Sequence, residues 1–418
     1  MAETRKFRND LIFYQFGAII PSINNFLNIF ILKHFLPPEE FGFFSLRMGL
    51  SALISLAGIG WLSQSIVRLV AAEREHKTHF LKGALLTGGG ILAVLAGGAA
   101  TILTVFFDDA GIAPILMAIG CVSSGIQLLM VSYIQANFNS KSYLVGEALR
   151  TGLYLGLSFL AVTFFKGKAA LPLLWAAFIV ANLFGSLFLL KKCNVALSML
   201  IRLPIRGYLV VHWKRVVQYG APLALWFIII SCMNYVEKPL LLVFTLDYGK
   251  VGNYQAMYDI LNKGATLILY PIGYALFPHL VQSFEQNDLR RTRGLLKKII
   301  GLELLLLALA IAAYLIFGFN LLVQLFSLPD NNDFYTTGLI VLVSTFVWQL
   351  AIIMHKPLEL KKRTLLMARW LFISFVVYVA LLYGLTKAFP GNLNMFAIPA
   401  LVSGLAYNLL TLYSSKKI

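Results

Sequence analysis

Residues 36–47 read LPPEEFGFFSLR, and residues 246–257 read LDYGKVGNYQAM. The two stretches stand 210 residues apart, half of the 418-residue chain. In that register Leu36 falls on Leu246, Phe41 on Val251, Gly42 on Gly252 and Phe44 on Tyr254. Each stretch joins two long runs that are poor in charge. The run before the first, residues 11–32, has no charged side chain at all. A chain that repeats one design at half its length, with apolar runs on both sides of each copy, reads as two equivalent halves embedded in a membrane.

The composition agrees. Hydrophobic residues make up 59% of the chain, charged residues only 13%, and the mean hydropathy is +0.79. Soluble domains carry about 25% charged residues. The excess of apolar side chains has no aqueous solution, so soluble enzymes and nucleic-acid-binding proteins are excluded. The balance of 35 basic against 18 acidic residues, net +17, belongs to cytoplasmic loops rather than to a nucleic-acid partner. Three widely spaced cysteines, Cys121, Cys193 and Cys232, form neither a disulfide framework nor a zinc site. The first apolar run is too long for a signal-peptide core and has no small-residue cleavage site, so it is expected to stay as a helix.

A lipid-exposed segment must satisfy its own backbone hydrogen bonds, so the runs are expected to be helical, at roughly 20 residues per crossing. The charges that punctuate the chain place helices near 10–33, 43–67, 83–107, 112–134, 145–165, 170–190, 219–246, 251–281, 299–319, 336–355, 365–386 and 394–414. The fifth has to carry Glu147 and Arg150 in its first turns. With a cytoplasmic N-terminus, the inner segments hold 25 Lys and Arg and the outer segments 5. That asymmetry predicts both termini on the cytoplasmic side and an even number of spans. The expected fold is all-α and polytopic. It has twelve transmembrane helices in two parallel-repeat lobes of six, residues 1–190 and 219–418, joined by a basic cytoplasmic linker at 191–218. Parallel repeats of this kind recur in transporters.

Phe-Gly-Phe-Phe-Ser at 41–45 follows the acidic, Pro-rich turn, and the next helix ends Gly60-Trp61-Leu62-Ser63-Gln64-Ser65-Ile66-Val67-Arg68. This resembles the N-terminal signature of the polysaccharide transporters, the Wzx-type O-antigen flippases of the MOP superfamily, which also contains the MATE exporters. Val251-Gly252-Asn253-Tyr254, then Pro271 and Phe277-Pro278, is similar to the seventh-to-eighth-helix region of that family. The resemblance implies a bacterial inner-membrane flippase that is not an enzyme and needs no cofactor, with proton or sodium coupling left open. Its cargo would be undecaprenyl-diphosphate-linked oligosaccharide, an O-antigen unit of lipopolysaccharide or another surface polysaccharide. Its partners would be membrane lipids and other polysaccharide assembly proteins, with no nucleic acid.

A charge in the bilayer costs about 2.5–3.5 kcal/mol on insertion scales, so intramembrane charges mark candidate sites. Arg47 heads a polar stripe with Ser51 and Ser55. Lys238 shares a face with Ser231, Asn234 and Tyr235. Lys263 lies on a stripe of Gln255, Asp259, Thr266 and Tyr270. Arg150 lies near the inner end of helix five, and helix one is rich in amides at Gln15, Asn24, Asn25 and Asn28. A diphosphate needs cations, and sugars need amides and aromatics. The substrate-binding set is therefore Arg47, Arg150, Lys238, Lys263, Asn25, Asn28, Asn234 and Tyr235, with Asp259 and Glu237 modulating the charge. Two readings stay open for the pairs Asp259–Lys263 and Glu147–Arg150, whose spacings also suit simple neutralisation, and Arg47 is also placed to snorkel to the headgroups. No catalytic or metal residue is expected. A cation-coupled MATE-type exporter would favour carboxylates in its cavity. A membrane polymerase or glycosyltransferase would need a sizeable outer loop, and the longest expected here is 320–335.

Overall fold

The computed structural model describes residues 2–72, 77–106, 112–137, 139–193, 195, 216–217, 220, 224–233, 235–286, 288–361 and 363–416. They form an all-helical, multi-pass membrane protein, with no strand among them. The helices are α1 Ala2–Phe35, α2 Pro38–Ala72, α3 Lys77–Phe106, α4 Ile112–Ala136, α5 Ser140–Phe164, α6 Ala170–Lys192, α7 Glu237–Thr245, α8 Tyr248–Glu285, α9 Leu289–Ala313, α10 Phe319–Phe326, α11 Asn332–Met354, α12 Lys356–Leu360, α13 Thr364–Ala388 and α14 Asn394–Lys416. Among the described residues ten stretches are long and apolar enough to cross a membrane. They match ten of the twelve expected spans. The other two, the first and eighth, fall on α1 and α8, which have 34 and 38 residues.

Local sequence explains the ends. Asn139, Asp288 and Asn331 each use a side-chain oxygen to accept a backbone N–H in the first turn of α5, α9 and α11, at 3.2, 2.9 and 2.9 Å. Such caps satisfy donors that the helix itself cannot. One expectation is corrected here. The outer loop foreseen at 320–335 is mostly helix. α9 passes through one π-helical stretch, Tyr314–Gly318, straight into α10, and only residues 327–331 separate that from α11. Tyr314 holds the junction by donating its hydroxyl to the Tyr335 carbonyl at 2.9 Å. Five glycines of α3, at 88–90 and 97–98, differ in their surroundings. Only Gly88 is packed, with Leu129 and Leu62 where a Cβ would sit, whereas Gly89, Gly90, Gly97 and Gly98 face open space.

The chain divides into two compact units, Met1–Leu36 with Phe44–Tyr235 and Pro37–Phe43 with Val236–Ile418. The expected boundary lay at the 191–218 linker, most of which is outside the described residues. Contacts among the described residues divide the chain inside the seventh span, Ala224–Thr245, and the first turns of α2 go with the second unit. In the first unit α1 packs on α5, α5 on α6, and α4 on both α3 and α6. Its core is built from Ile59, Leu62, Ile66, Leu92, Leu129 and Leu189, all at most 1% exposed. In the second unit α14 packs on α11 and α13, and α11 also packs on α8 and α9, around buried Leu241, Val251, Tyr254, Tyr378 and Phe396.

The repeat that opened the sequence is a physical contact. A Cβ on Gly42 would overlap the Tyr248 carbonyl oxygen and lie 2.8 Å from the Gly252 nitrogen. A Cβ on Gly252 would overlap the Pro38 carbonyl oxygen and lie 2.8 Å from the Gly42 nitrogen. Pro38 and Tyr248 are themselves 210 residues apart, so the contact has internal two-fold character. Lipid tails give no hydrophobic drive to pack helices, and close backbone approach through small residues replaces it. Gly42→Ala and Gly252→Ala should each lower stability by about 1–3 kcal/mol, the usual range for overpacking. The two effects should be strongly non-additive, because both methyls enter one seam. Thermal unfolding of the two single variants and the double variant in detergent tests this, and simple additivity would refute the shared seam.

Candidate functional site

Among the described residues each unit has a polar cluster with ionisable side chains inside its spans. The first joins α4, α5 and α6. Arg150 on α5 donates to Glu147 through Nη2 at 2.7 Å and Nε at 3.2 Å, and to Asn182 Oδ1 through Nη1 at 3.3 Å. Glu147 also accepts from Gln127 Nε2 at 2.9 Å, and Gln127 Oε1 accepts from Ser186 at 2.8 Å. The backbone at Gly185 makes room for this. A Cβ there would lie 3.0 Å from the Arg150 Cβ and 3.1 Å from Gln127 Oε1. One helical turn further, the Thr151 hydroxyl donates to the Glu147 carbonyl and accepts from Asn24 of α1. Of the two readings open for Arg150, this geometry supports neutralisation: Glu147 and the Asn182 amide take up three of its five N–H donors.

The second cluster joins α7 and α8. Glu237 and Lys238 begin α7 and are 1% and 2% exposed. The Lys238 ammonium lies 4.7 Å from the centroid of the Tyr258 ring, a cation–π distance. Tyr254 and Tyr378 flank the Glu237 carboxylate, and its Oε1 is buried without a hydrogen-bond partner. Asp259 on α8 accepts from Gln255 Nε2 one turn before it. Lys263, one turn beyond Asp259, stands 4.0 Å from Asp259 Oδ2, outside hydrogen-bond reach, and its side chain is 34% exposed. Lys238 is enclosed, whereas Lys263 is reachable and makes no hydrogen bond to a described residue.

The remaining expected residues are dispersed. Arg47 is 3% exposed, and the stripe below it turns inward: Ser55 reaches Ser124 at 2.9 Å and the Cys121 carbonyl at 3.2 Å on α4. Asn28 is buried near Tyr154 of α5, its Oδ1 without a partner, and Asn25 is half-buried on the same helix. Tyr235 is half-buried, with its ring against α2 at Gly49. It belongs to the first unit and Lys238 to the second. Asn234 lies outside the described residues, as do the side chains of Gln15 and Tyr270. Sequence reasoning passed over Gln127, Asn182 and Tyr378, whose partners are on other helices. It also passed over Glu303, although that is the only charged residue between Lys298 and Asp330. Among the described residues no group of three or more His, Cys, Asp or Glu is placed to hold a metal ion.

The sequence profile of the polysaccharide biosynthesis protein family matches residues 8–284. The chain belongs to that family. No curated protein matches this polysaccharide biosynthesis family member by sequence. Solved structures with a similar fold are transporters. One is a multidrug-resistance MATE family transporter of the MOP superfamily in an inward-facing conformation. It is 12% identical over 95% of this chain and 94% of its own, with a TM-score of 0.69. A variant of a MATE transporter from Vibrio cholerae is 12% identical over 99% and 97%, with a TM-score of 0.66. A MOP superfamily transporter from Pyrococcus furiosus, described as having a binding pocket of reversed polarity, is 13% identical over 97% and 94%, with a TM-score of 0.61. Identities this low carry the fold alone. Family and fold together make this polysaccharide biosynthesis protein a membrane transporter.

Proposed function

We propose that the protein is a flippase for lipid-linked oligosaccharide diphosphates. It would carry the glycan head group of an undecaprenyl-diphosphate-linked repeat unit from the cytoplasmic to the periplasmic leaflet of a bacterial inner membrane, with both of its own termini cytoplasmic. The observation that carries the reading is Lys263. It is an intramembrane cation with a third of its side chain exposed, and its neighbouring carboxylate is already hydrogen-bonded to Gln255. A diphosphate supplies the short charge-assisted bonds that Asp259 does not. The half-buried Tyr258 of α8 suits a sugar, and the prenyl tail stays in lipid. Alternating access by two six-helix lobes fits the parallel repeat. A second reading, cation export of the MATE type, draws support from Glu237 and Asp259, which match the two lysines in number.

Vesicles containing the purified protein separate the two. A fluorescent undecaprenyl-diphosphate oligosaccharide in one leaflet should become accessible to a membrane-impermeant quencher on the other side, faster than in protein-free vesicles. Lipid-linked glycan that stays put, together with accumulation of a fluorescent organic cation, would replace the flippase reading with the exporter.

A further inference from the structure

α9 buries a narrow seam. Thr292 and Ile299 on it are 5% and 4% exposed and Tyr314 just past its end is 3% exposed, whereas Leu302, Leu304 and Leu305 on the other faces are exposed. Glu303 sits in that seam, four residues after Ile299, and is 6% exposed. It lies inside the apolar run that continues to Phe326, about 7.5 Å of helix rise beyond Lys298, the last cation. Its neighbours one turn away on either side are Ile299, Ile300, Leu306 and Leu307, so no residue of its own helix face neutralises it. Glu303 makes no hydrogen bond and no ion pair with any described residue, and its Oε2 is buried without a partner.

The sequence of the helices packed on α9 places no Lys or Arg at 264–284 of α8, on α10, or between Tyr335 and His355 of α11. α11 has no titratable residue between Tyr335 and His355, and α10 has none. Tyr314 donates its hydroxyl to a backbone carbonyl instead. α8 carries Tyr270, Tyr274 and His279 between Lys263 and Glu285, with no Lys or Arg there. An ionised carboxylate without a partner is costly in hydrocarbon, and a neutral carboxylic acid is far less so. A leucine would fill this seam without that cost. Unlike leucine, a carboxyl held there can bind and release a proton.

We propose that Glu303 is a proton-binding site within the membrane, loaded and emptied during the transport cycle, with the cytoplasmic side the nearer source. This rests on the transporter reading and is independent of the cargo. Dicyclohexylcarbodiimide, an apolar reagent that modifies protonated carboxyls in lipid, tests occupancy in the full-length protein in vesicles. Mass spectrometry should find an adduct on Glu303 at acidic pH that falls severalfold as the pH rises and is missing in Glu303→Gln. No adduct at any pH, or labelling indifferent to pH, would overturn the site. The second arm compares transport with and without an imposed proton gradient. Glu303→Gln and Glu303→Leu should lose at least tenfold of the gradient-stimulated rate, and Glu303→Leu should unfold at or above the wild-type temperature. An undiminished gradient response in Glu303→Gln would also overturn the proposal. If the glycan cargo proves wrong, the labelling arm still decides the site, so the two failures are told apart.

Discussion

Lys263→Ala should lower glycan export about tenfold to a hundredfold while protein level and membrane insertion stay normal. A hydrogen bond to a charged group is worth about 1.5–3 kcal/mol, and each 1.4 kcal/mol is a factor of ten. The effect should fall on transport rather than folding, because the Lys263 side chain is 34% exposed and 4.0 Å from Asp259. Arg at this position should restore part of the activity: it keeps the charge, but its planar fork is not the compact ammonium. Glu should be worse than Ala, since it repels phosphate. The competing view, that Lys263 only neutralises Asp259, makes a different forecast. The double change Lys263→Ala with Asp259→Asn would then restore export. Surface glycan measured in that double variant decides the matter, and full recovery would sink the cationic reading.

Arg150→Ala should behave in the opposite way, destabilising the protein by about 3–5 kcal/mol. That is the usual cost of stripping one partner from a buried ion pair. Glu147, with its side chain only 9% exposed, would keep the Gln127 amide but lose the guanidinium that neutralises it. Asn182 would lose the donor to its Oδ1. The double variant Glu147→Gln with Arg150→Met removes both charges and should regain most of the loss, since a buried pair replaced together by neutral groups is often close to harmless. Thermal unfolding in detergent reads both. An Arg150→Ala protein that melts like the wild type but no longer transports would move Arg150 back among the substrate ligands.

The contrast between these two cations shows where sequence reading stops. Both lie within helices beside a carboxylate at helical spacing, Glu147–Arg150 at three residues and Asp259–Lys263 at four. Spacing alone leaves neutralisation and ligand binding open for each. Partners from elsewhere in the chain separate them: Asn182 of α6 takes up part of Arg150, and Gln127 of α4 reinforces Glu147. On α8, Gln255 holds Asp259 and leaves Lys263 with a loose contact. The polar stripe below Arg47 was legible as a stripe, but its direction, into the packed face of α4 at Cys121 and Ser124, was not.

What the sequence determined by itself follows from solvent. Hydrocarbon admits helices and excludes charge, so the uncharged runs had to be spans, and the punctuating charges had to be their ends. That reasoning is local, and it placed the helices, the half-length repeat and the family resemblance. It also suffices to flag a lone carboxylate such as Glu303 as costly, once charges are counted run by run. The tertiary structure alone decided the rest. It set the contact of Gly42 with Gly252, the boundary at Tyr235 and Val236 inside a span, and the burial of Lys238 against the exposure of Lys263. The reason is physical: within a membrane every helix is apolar enough to satisfy the lipid, so which face meets lipid and which meets protein is settled by shape and hydrogen bonding between helices, and these depend on residues distant in the chain.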